Sequence, residues 1–363
     1  MNCRHCNTIL NRDLIDLGVC SPSNAYVKRN ELNKPKKTFP LRVKICSDCY
    51  LVQTEDYTKS KNLFTDDYAY LSSVSKTWQK HCKVFSDKII KKLSLNSNSF
   101  VLEVASNDGC LLEYFHKKKI KTLGIEPTKI AAKLLKKKGI NTIEKFFNTN
   151  LAKKLVKKYG KADLVCANNV FAHVPDINNF VKALKIILSK NGTITIEFPH
   201  LLNLVKNTLF DTIYHEHFSY LSLYTTNKIV SRFGLKIFDV EQINTHGGSL
   251  RVFLCHDNSK MKINASEKKF LFKEQKFGLF KMTCFNEFKK KDKKIQTDLM
   301  IFLTKLREDN KNVVAYGAAA KGNTLLNSIG VTKKFIKYVS DEATSKQGKF
   351  LPGSLIPIVN KKN

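Results

Sequence analysis

Two close pairs of cysteines constrain this chain more than any other feature: Cys3 and Cys6 are separated by two residues, and so are Cys46 and Cys49. Each Cys-x2-Cys knuckle presents two thiolates to one ion, and two knuckles complete a tetrahedral Zn²⁺ site. The 39 residues between the knuckles exceed what a minimal zinc ribbon needs, so a small folded loop is expected there. Four thiolates leave no open position for water, so such a zinc is structural. The remaining cysteines, Cys20, Cys82 and Cys110 among them, are scattered and read as small core residues. The N-terminus, MNCRHCNTIL, lacks a basic-then-apolar leader, and no run of 18 apolar residues occurs. A cytoplasmic chain that does not enter a membrane is expected, and disulfides are not.

The net charge is +32, which raises the question of a nucleic-acid or acidic membrane partner. Only seven of the 63 basic residues are arginine, and the lysines run from Lys28 to Lys362. Phosphate-reading surfaces favour the planar fork of arginine. Dispersed, solvated lysine is the better reading, and it would still help to attract an anionic substrate.

With 363 residues the chain has room for two or three domains. Residues 1–60 show little periodicity and hold both cysteine pairs. From 98 to 200, strand-like and helix-like segments alternate: SFVLEVAS, LLEYFHKK, KTLGIEP, TKIAAKLLKKKG, DLVCANNV, INNFVKALKIILSKNG and TITIEFP. The helical stripe of INNFVKALKIILSKNG is expected to end near Gly192, and that of TKIAAKLLKKKG at Gly139. Repeated β-α units mean a parallel sheet covered on both faces. Two strand-like runs follow, LKIFDVEQI and GSLRVFLCH, then a lysine-rich helical stretch over 259–310. NVVAYGAAAKGNTLLNSIG and FIKYVSD read as the start of a second α/β unit. The expected fold is α/β, with a zinc-binding unit at 1–60, a Rossmann-like central domain at 61–258 and a smaller α/β domain at 259–363.

Four further motifs carry chemistry. In VLEVASNDGCLLEYF a strand ends at Glu103, a polar turn (Ala105, Ser106, Asn107) follows, and a helix opens after Gly109. Ligands of doubly wound sheets sit at such strand ends. LGIEP places Glu126, followed by Pro127, at the end of the next strand, where a carboxylate can bond both hydroxyls of a ribose. The turn is not GxGxxG, so an adenosyl ligand without phosphates fits better than NAD. In FDTIYHEHFSYLS, Tyr214, His215, Glu216 and His217 form a polar run suited to proton transfer, to metal binding or to tying loops together. In NTHGGSLRVFL, two glycines precede Arg251, which could grip a phosphate or carboxylate or sit on a hairpin surface. AYGAAAKGNT puts Lys321 in a strand-turn-helix, suited to an anion or to a plain turn.

Together these segments, with LFTDDYAYLSSVSKTWQKHC, ANNVFAHVPD and KQGKFLPGSLIPI, resemble the three-domain sugar C-methyltransferases of deoxysugar pathways, over nearly the whole chain. The resemblance implies S-adenosylmethionine as cofactor beside the structural zinc. It implies a nucleoside-diphosphate 4-keto-deoxysugar as substrate, methylated at the adjacent ring carbon, C3. It places Asn107 in the cofactor loop, Glu126 on the ribose, and Asn168 and Asn169 on the cofactor pocket. Tyr214, Glu216, His217 and His173 fall on the family's active-site positions, and Tyr68 or Tyr70 on an aromatic substrate contact. Lys321 and Asn323 fall on the turn that receives substrate. Ala105 stands where the family often has glycine. The chain ends soon after LPGSLIPIV, whereas relatives continue, so a shortened C-terminal domain is expected.

The mechanism so implied has His217, or Tyr214, removing the C3 proton, while Glu216 or His173 positions the base or stabilises the enolate oxygen. An RNA or DNA methyltransferase is one rival, but the segment NNVF stands where a base N-methyltransferase often carries (N/D)PP(Y/F). A non-catalytic sugar-nucleotide binder is the other. A monomer or weak homodimer is expected.

Overall fold

A computed structural model of the protein describes residues 1–58, 60–64 and 71–360. Tyr68 and Tyr70 lie outside the described residues. Three sheets organise the rest.

The N-terminal sheet contains β1 (Arg12–Cys20), β2 (Phe39–Ile45) and β3 (Val52–Thr54), all antiparallel. The low periodicity of residues 1–60 conceals a nine-residue strand, β1, which buries Leu14, Ile15, Leu17 and Cys20. The fourth strand comes from far along the chain: Ser219–Tyr220 pairs antiparallel with β3. The four cysteine sulfurs lie within 4.8 Å of one another. Cys3 Sγ is 3.5 Å from Cys49 Sγ, and Cys6 Sγ is 3.4 Å from Cys46 Sγ. A tetrahedron with Zn–S of about 2.3 Å needs sulfurs about 3.8 Å apart, so the cluster fits a zinc ion.

The central sheet holds β4 (Phe100–Val104), β5 (Lys121–Ile125), β6 (Asn141–Ile143), β7 (Ala162–Cys166) and β8 (Leu188–Pro199), mutually parallel. Taking Ser219–Tyr220 as β9, the strands β10 (Leu235–Ile243) and β11 (Ser249–His256) complete it as a hairpin. The order is β10-β11-β8-β7-β4-β5-β6, with β11 antiparallel to β8. The central strands are nearly continuous in Val, Ile and Leu because helices cover both faces. The helix preceding β8 ends at Ile187 and the strand begins at Leu188, earlier than the expected stop at Gly192. Leu188 is drawn into pairing with Ala162, and the register slips before Leu164 meets Thr193, so Gly192 sits inside the strand. Gly139 does close its helix, with φ 75°.

The lysine-rich stretch forms two helices, Ala265–Phe277 and Met282–Glu308. Phe285 and Phe288 of the second pack into one core with Leu14, Leu41 and Val43 of the N-terminal sheet and Leu201, Leu204 and Phe210 after β8. Beyond it, β12 (Ala315–Tyr316), β13 (Val339–Ser340) and β14 (Ile358–Val359) make a small parallel sheet, with the helix Ala320–Ser328 between β12 and β13. No helix among the described residues is long and apolar enough to cross a membrane.

Because β3 pairs with β9, metal loss should be felt at a distance. The protein should hold about one zinc per chain. Chelation, or a Cys46→Ser/Cys49→Ser variant, should raise amide hydrogen exchange in 52–54 and 219–220 before the central sheet opens. Unchanged exchange at 219–220 in zinc-free protein would contradict this coupling.

Candidate active site

The strand ends β4, β5, β7 and β8 open into one cavity of about 770 Å³, whose walls also include Asn24 and Tyr26 from the N-terminal unit and Lys321 and Lys346 from the C-terminal one. All three units therefore meet there.

At the end of β4 the chain adopts left-handed backbone at Ala105 (φ 55°), Asn107 (φ 50°) and Gly109 (φ 77°). Asparagine and glycine tolerate this; at Ala105 it costs roughly 1–2 kcal/mol. The reward is a turn whose atoms face the cavity. Glu126 anchors it: Oε2 accepts the Asn107 N–H at 2.8 Å, and Oε1 accepts the Thr128 N–H and hydroxyl at 2.9 and 2.6 Å. A carboxylate has about four acceptor sites, so Glu126 keeps one for a ligand hydroxyl. Burial raises its pKa. Glu103, Ala105, Ser106, Asn107, Glu126, Pro127, Asn168 and Asn169 all line the cavity. Glu103 Oε2, Ser106 Oγ, Asn168 Oδ1 and Asn169 Nδ2 are buried without protein partners. Donors and acceptors thus alternate along this wall, with no cluster of cations, which fits a nucleoside and an amino-acid tail rather than phosphates. Gly109 is absent from the wall. A Cβ there would stand 2.0 Å from Leu135 Cδ1, so this glycine serves helix packing.

Farther along, His217 and His173 face each other with ring centroids 4.7 Å apart, and Tyr214 lies 4.0 Å from His217. Carbonyl oxygens only accept, which settles both tautomers. His217 Nδ1 donates to Thr212 O at 3.2 Å, and His173 Nδ1 donates to Glu216 O at 2.7 Å. Each ring keeps an Nε2 lone pair. Burial holds His217 well below its ordinary pKa, helped by His173, and pushes His173 down to about 4. Both are neutral near pH 7 and able to accept a proton. The Glu216 carboxyl does not reach the cavity: Oε1 accepts the backbone and side-chain N–H groups of Asn24, each at 3.2 Å. His215 turns away to the Phe39 and Pro40 carbonyls, so no His215–His217 metal pair forms.

Two expected substrate contacts take other roles. Arg251 does not line the cavity; it is buried, with Nε donating to Glu197 at 2.6 Å and Nη1 to Glu241 at 3.1 Å. Its own strand, paired with β8, points it at internal carboxylates rather than at a ligand. The glycines before it let the backbone approach Asn203, whose Nδ2 would lie 2.4 Å from a Cβ at Gly248. Asn323 is also buried, donating to Ser23 O at 2.6 Å and tying the C-terminal helix to the N-terminal unit. Lys321 does line the cavity, at the start of the helix Ala320–Ser328. The sequence reading missed Asn24, His81, Glu197 and His246 on the same walls. WQKHC and THGG held two of them in plain view, but neither segment had a partner in the sequence to define a role.

A Rossmann-like sheet whose strand ends carry a polar turn and a buried carboxylate suits an S-adenosylmethionine-dependent methyltransferase, and the family matches show that class. Three family models match in chain order: a zinc binding domain over residues 3–64, a methyltransferase domain over 78–240, and a C-methyltransferase C-terminal domain over 244–363. The C-methyltransferase NovU of Streptomyces niveus is 31% identical over 320 residues, spanning 88% of this chain and 76% of that protein. The chain belongs to this C-methyltransferase family. Among solved structures, an S-adenosylmethionine-dependent methyltransferase from Clostridium acetobutylicum is similar at 13% identity and a TM-score of 0.41, covering 49% of this chain and 92% of its own. Magnesium protoporphyrin IX methyltransferase of Synechocystis with bound S-adenosylhomocysteine is similar at 13% identity and a TM-score of 0.40, covering 49% and 83%.

The buried neutral histidines set a pH dependence. His173 binds its proton near pH 6.5 when unfolded but at about 4 when folded. Its contribution is therefore level above about pH 6.5 and destabilising as pH falls toward 4, by up to about 1.4 kcal/mol per pH unit. Relative to His173→Asn, the unaltered protein should lose stability over that window in urea titrations. A difference that does not vary with pH would contradict the buried, neutral assignment.

Proposed function

We propose that the protein methylates the ring carbon next to the ketone of a nucleoside-diphosphate 4-keto-deoxysugar, with His217 as the base. The observation that carries this reading is the tautomer of His217, whose Nδ1 is committed to Thr212 O and whose Nε2 lone pair is left in the cavity that also holds the cofactor turn. A hydrogen beside a ketone is acidic enough for a neutral imidazole to remove, and the Tyr214 hydroxyl, on the ring beside His217, is the donor to the enolate oxygen, while His173 positions the base. Glu216 acts at one remove, its carbonyl fixing His173. S-adenosylmethionine, held by the wall from Glu103 to Asn169, supplies an electrophilic methyl group. The carbon nucleophile must lie in line with it, so positioning carries much of the rate. Lys321 would meet the diphosphate, and its charge also helps to keep His217 unprotonated. Under this reading the division of labour follows residues 1–60, 61–258 and 259–363.

Proton removal can be read without methyl transfer. In heavy water the protein should exchange the C3 hydrogen of an accepted keto sugar. His217→Asn should slow that exchange and methylation together, by roughly 10²–10⁴-fold, while S-adenosylhomocysteine still binds. A larger loss in Tyr214→Phe would move the base to Tyr214. Unaltered exchange in both variants would refute the proposed chemistry, and binding of the sugar without exchange in the intact protein would favour a non-catalytic binder.

A further inference from the structure

A third histidine faces the cavity without a part in this proton transfer. His81 lies half-buried on the helix Lys76–Leu93, its Nε2 3.0 Å from Glu197 Oε2. Glu197 is fully buried; burial alone would raise its pKa, but His81 and Arg251 outweigh that and leave it a carboxylate. Arg251 Nη2 donates to Glu197 Oε1 and also lies 3.2 Å from His81 Nε2, but both Glu197 oxygens face that nitrogen, at 3.0 and 3.3 Å, and the carboxylate sets its role. A carboxylate only accepts, so Nε2 carries its proton toward Glu197 and Nδ1 keeps a lone pair. Among the described residues no hydrogen bond engages that Nδ1. The Trp78 indole stacks on the imidazole with centroids 4.7 Å apart and planes at 27°. The ring is thus held by its edge and by its face, an acceptor set in place before any ligand arrives.

Its place in the sheet says which ligand. Glu126 follows β5 and Glu197 lies in β8, with β4 and β7 between them. Three strand spacings of about 4.8 Å separate these carboxylates by about 14 Å. The transferable methyl of S-adenosylmethionine hangs only a few bonds from the ribose. With the amino-acid tail assigned to the unpartnered groups of β4 and β7, Glu103, Ser106, Asn168 and Asn169, the group that meets His81 is assigned to the methyl acceptor. Trp78, Thr212, His217 and His246 line the same cavity, and the His246 ring lies 5.6 Å from Trp78.

We propose that His81, oriented by Glu197 and Trp78, accepts a hydrogen bond from a ring hydroxyl of the sugar and so selects substrates by their hydroxyl pattern. The inference rests on the keto-sugar reading of the site. A site built to bond a hydroxyl discriminates strongly against its absence.

The test uses the full chain, a TDP-linked 4-keto-6-deoxyhexose, and analogues each lacking one ring hydroxyl. His81→Phe should lower kcat/KM for deuterium exchange roughly 10–100-fold on the fully hydroxylated sugar. S-adenosylhomocysteine affinity should stay within about twofold, which also reports on folding. On one deoxy analogue the gap between variant and unaltered protein should close. His81→Asn, which keeps an acceptor near the Nδ1 position, should recover part of the loss. A gap equal on every analogue would overturn the proposal, and so would weakened S-adenosylhomocysteine binding, which would put His81 on the cofactor. If the unaltered protein neither binds nor exchanges any nucleotide-linked keto sugar, the function proposed for the site falls, and this inference with it. Exchange indifferent to His81→Phe refutes this inference alone.

Discussion

The short pairing of β3 with β9 governs where the chemistry can occur. Thr54 N donates to Phe218 O, and the Thr54 hydroxyl donates to His217 O at 3.1 Å. The strand that follows the second cysteine knuckle therefore holds the main chain of the candidate base at its own carbonyl and at the next one. Arg4, inside the first knuckle, adds to the grip: its guanidinium reaches Thr54 O at 2.8 Å and Pro175 O at 3.2 Å and lies 5.4 Å from the Phe218 ring centre. Pro175 follows His173 by two residues. A zinc cluster distant from the reacting atoms can thus orient both histidines through backbone, which side-chain packing alone would leave looser.

Burial then does the electrical work. Glu126 and Glu103 sit at strand ends where desolvation opposes their charge, and His173, His217 and His246 sit where it opposes protonation. A neutral imidazole keeps one lone pair, and carbonyls on the Nδ1 side of His173 and His217 leave that pair on Nε2. The abundant lysines play little part in this interior: most are solvated, and among the described residues Lys145, Lys321 and Lys346 are the ones on the cavity walls with the turn after β4. The +32 charge is thus mostly a property of the surface.

Much of this was legible in the sequence where spacing carries physics. Two Cys-x2-Cys knuckles need one another, and the β-α alternation from 98 to 200 has one sensible sheet. The strand expected to end at Glu103 runs one residue further, to Val104, and Glu126 directly follows β5. Contacts between distant segments were not legible. Arg251 follows two glycines, a pattern suited to gripping a ligand, yet Glu197 and Glu241 lie opposite it because β11 inserts between β8 and β10. Asn323 turned out to serve an internal tie to Ser23, 300 residues earlier in the chain. Likewise Glu197, inside TITIEFP, reads as one polar residue in an apolar strand until His81 and Arg251 are brought to it.

The central claim is carbon methylation beside a ketone, and the position of the transferred methyl decides it. The protein should be incubated with S-adenosylmethionine bearing a ¹³C-labelled methyl and a nucleoside-diphosphate 4-keto-deoxysugar, and the product examined by NMR. The account predicts a labelled methyl bonded to the ring carbon adjacent to the ketone, with the proton of that carbon lost. Label on a hydroxyl oxygen, on the nucleobase or on added RNA, with none on that carbon, would contradict it.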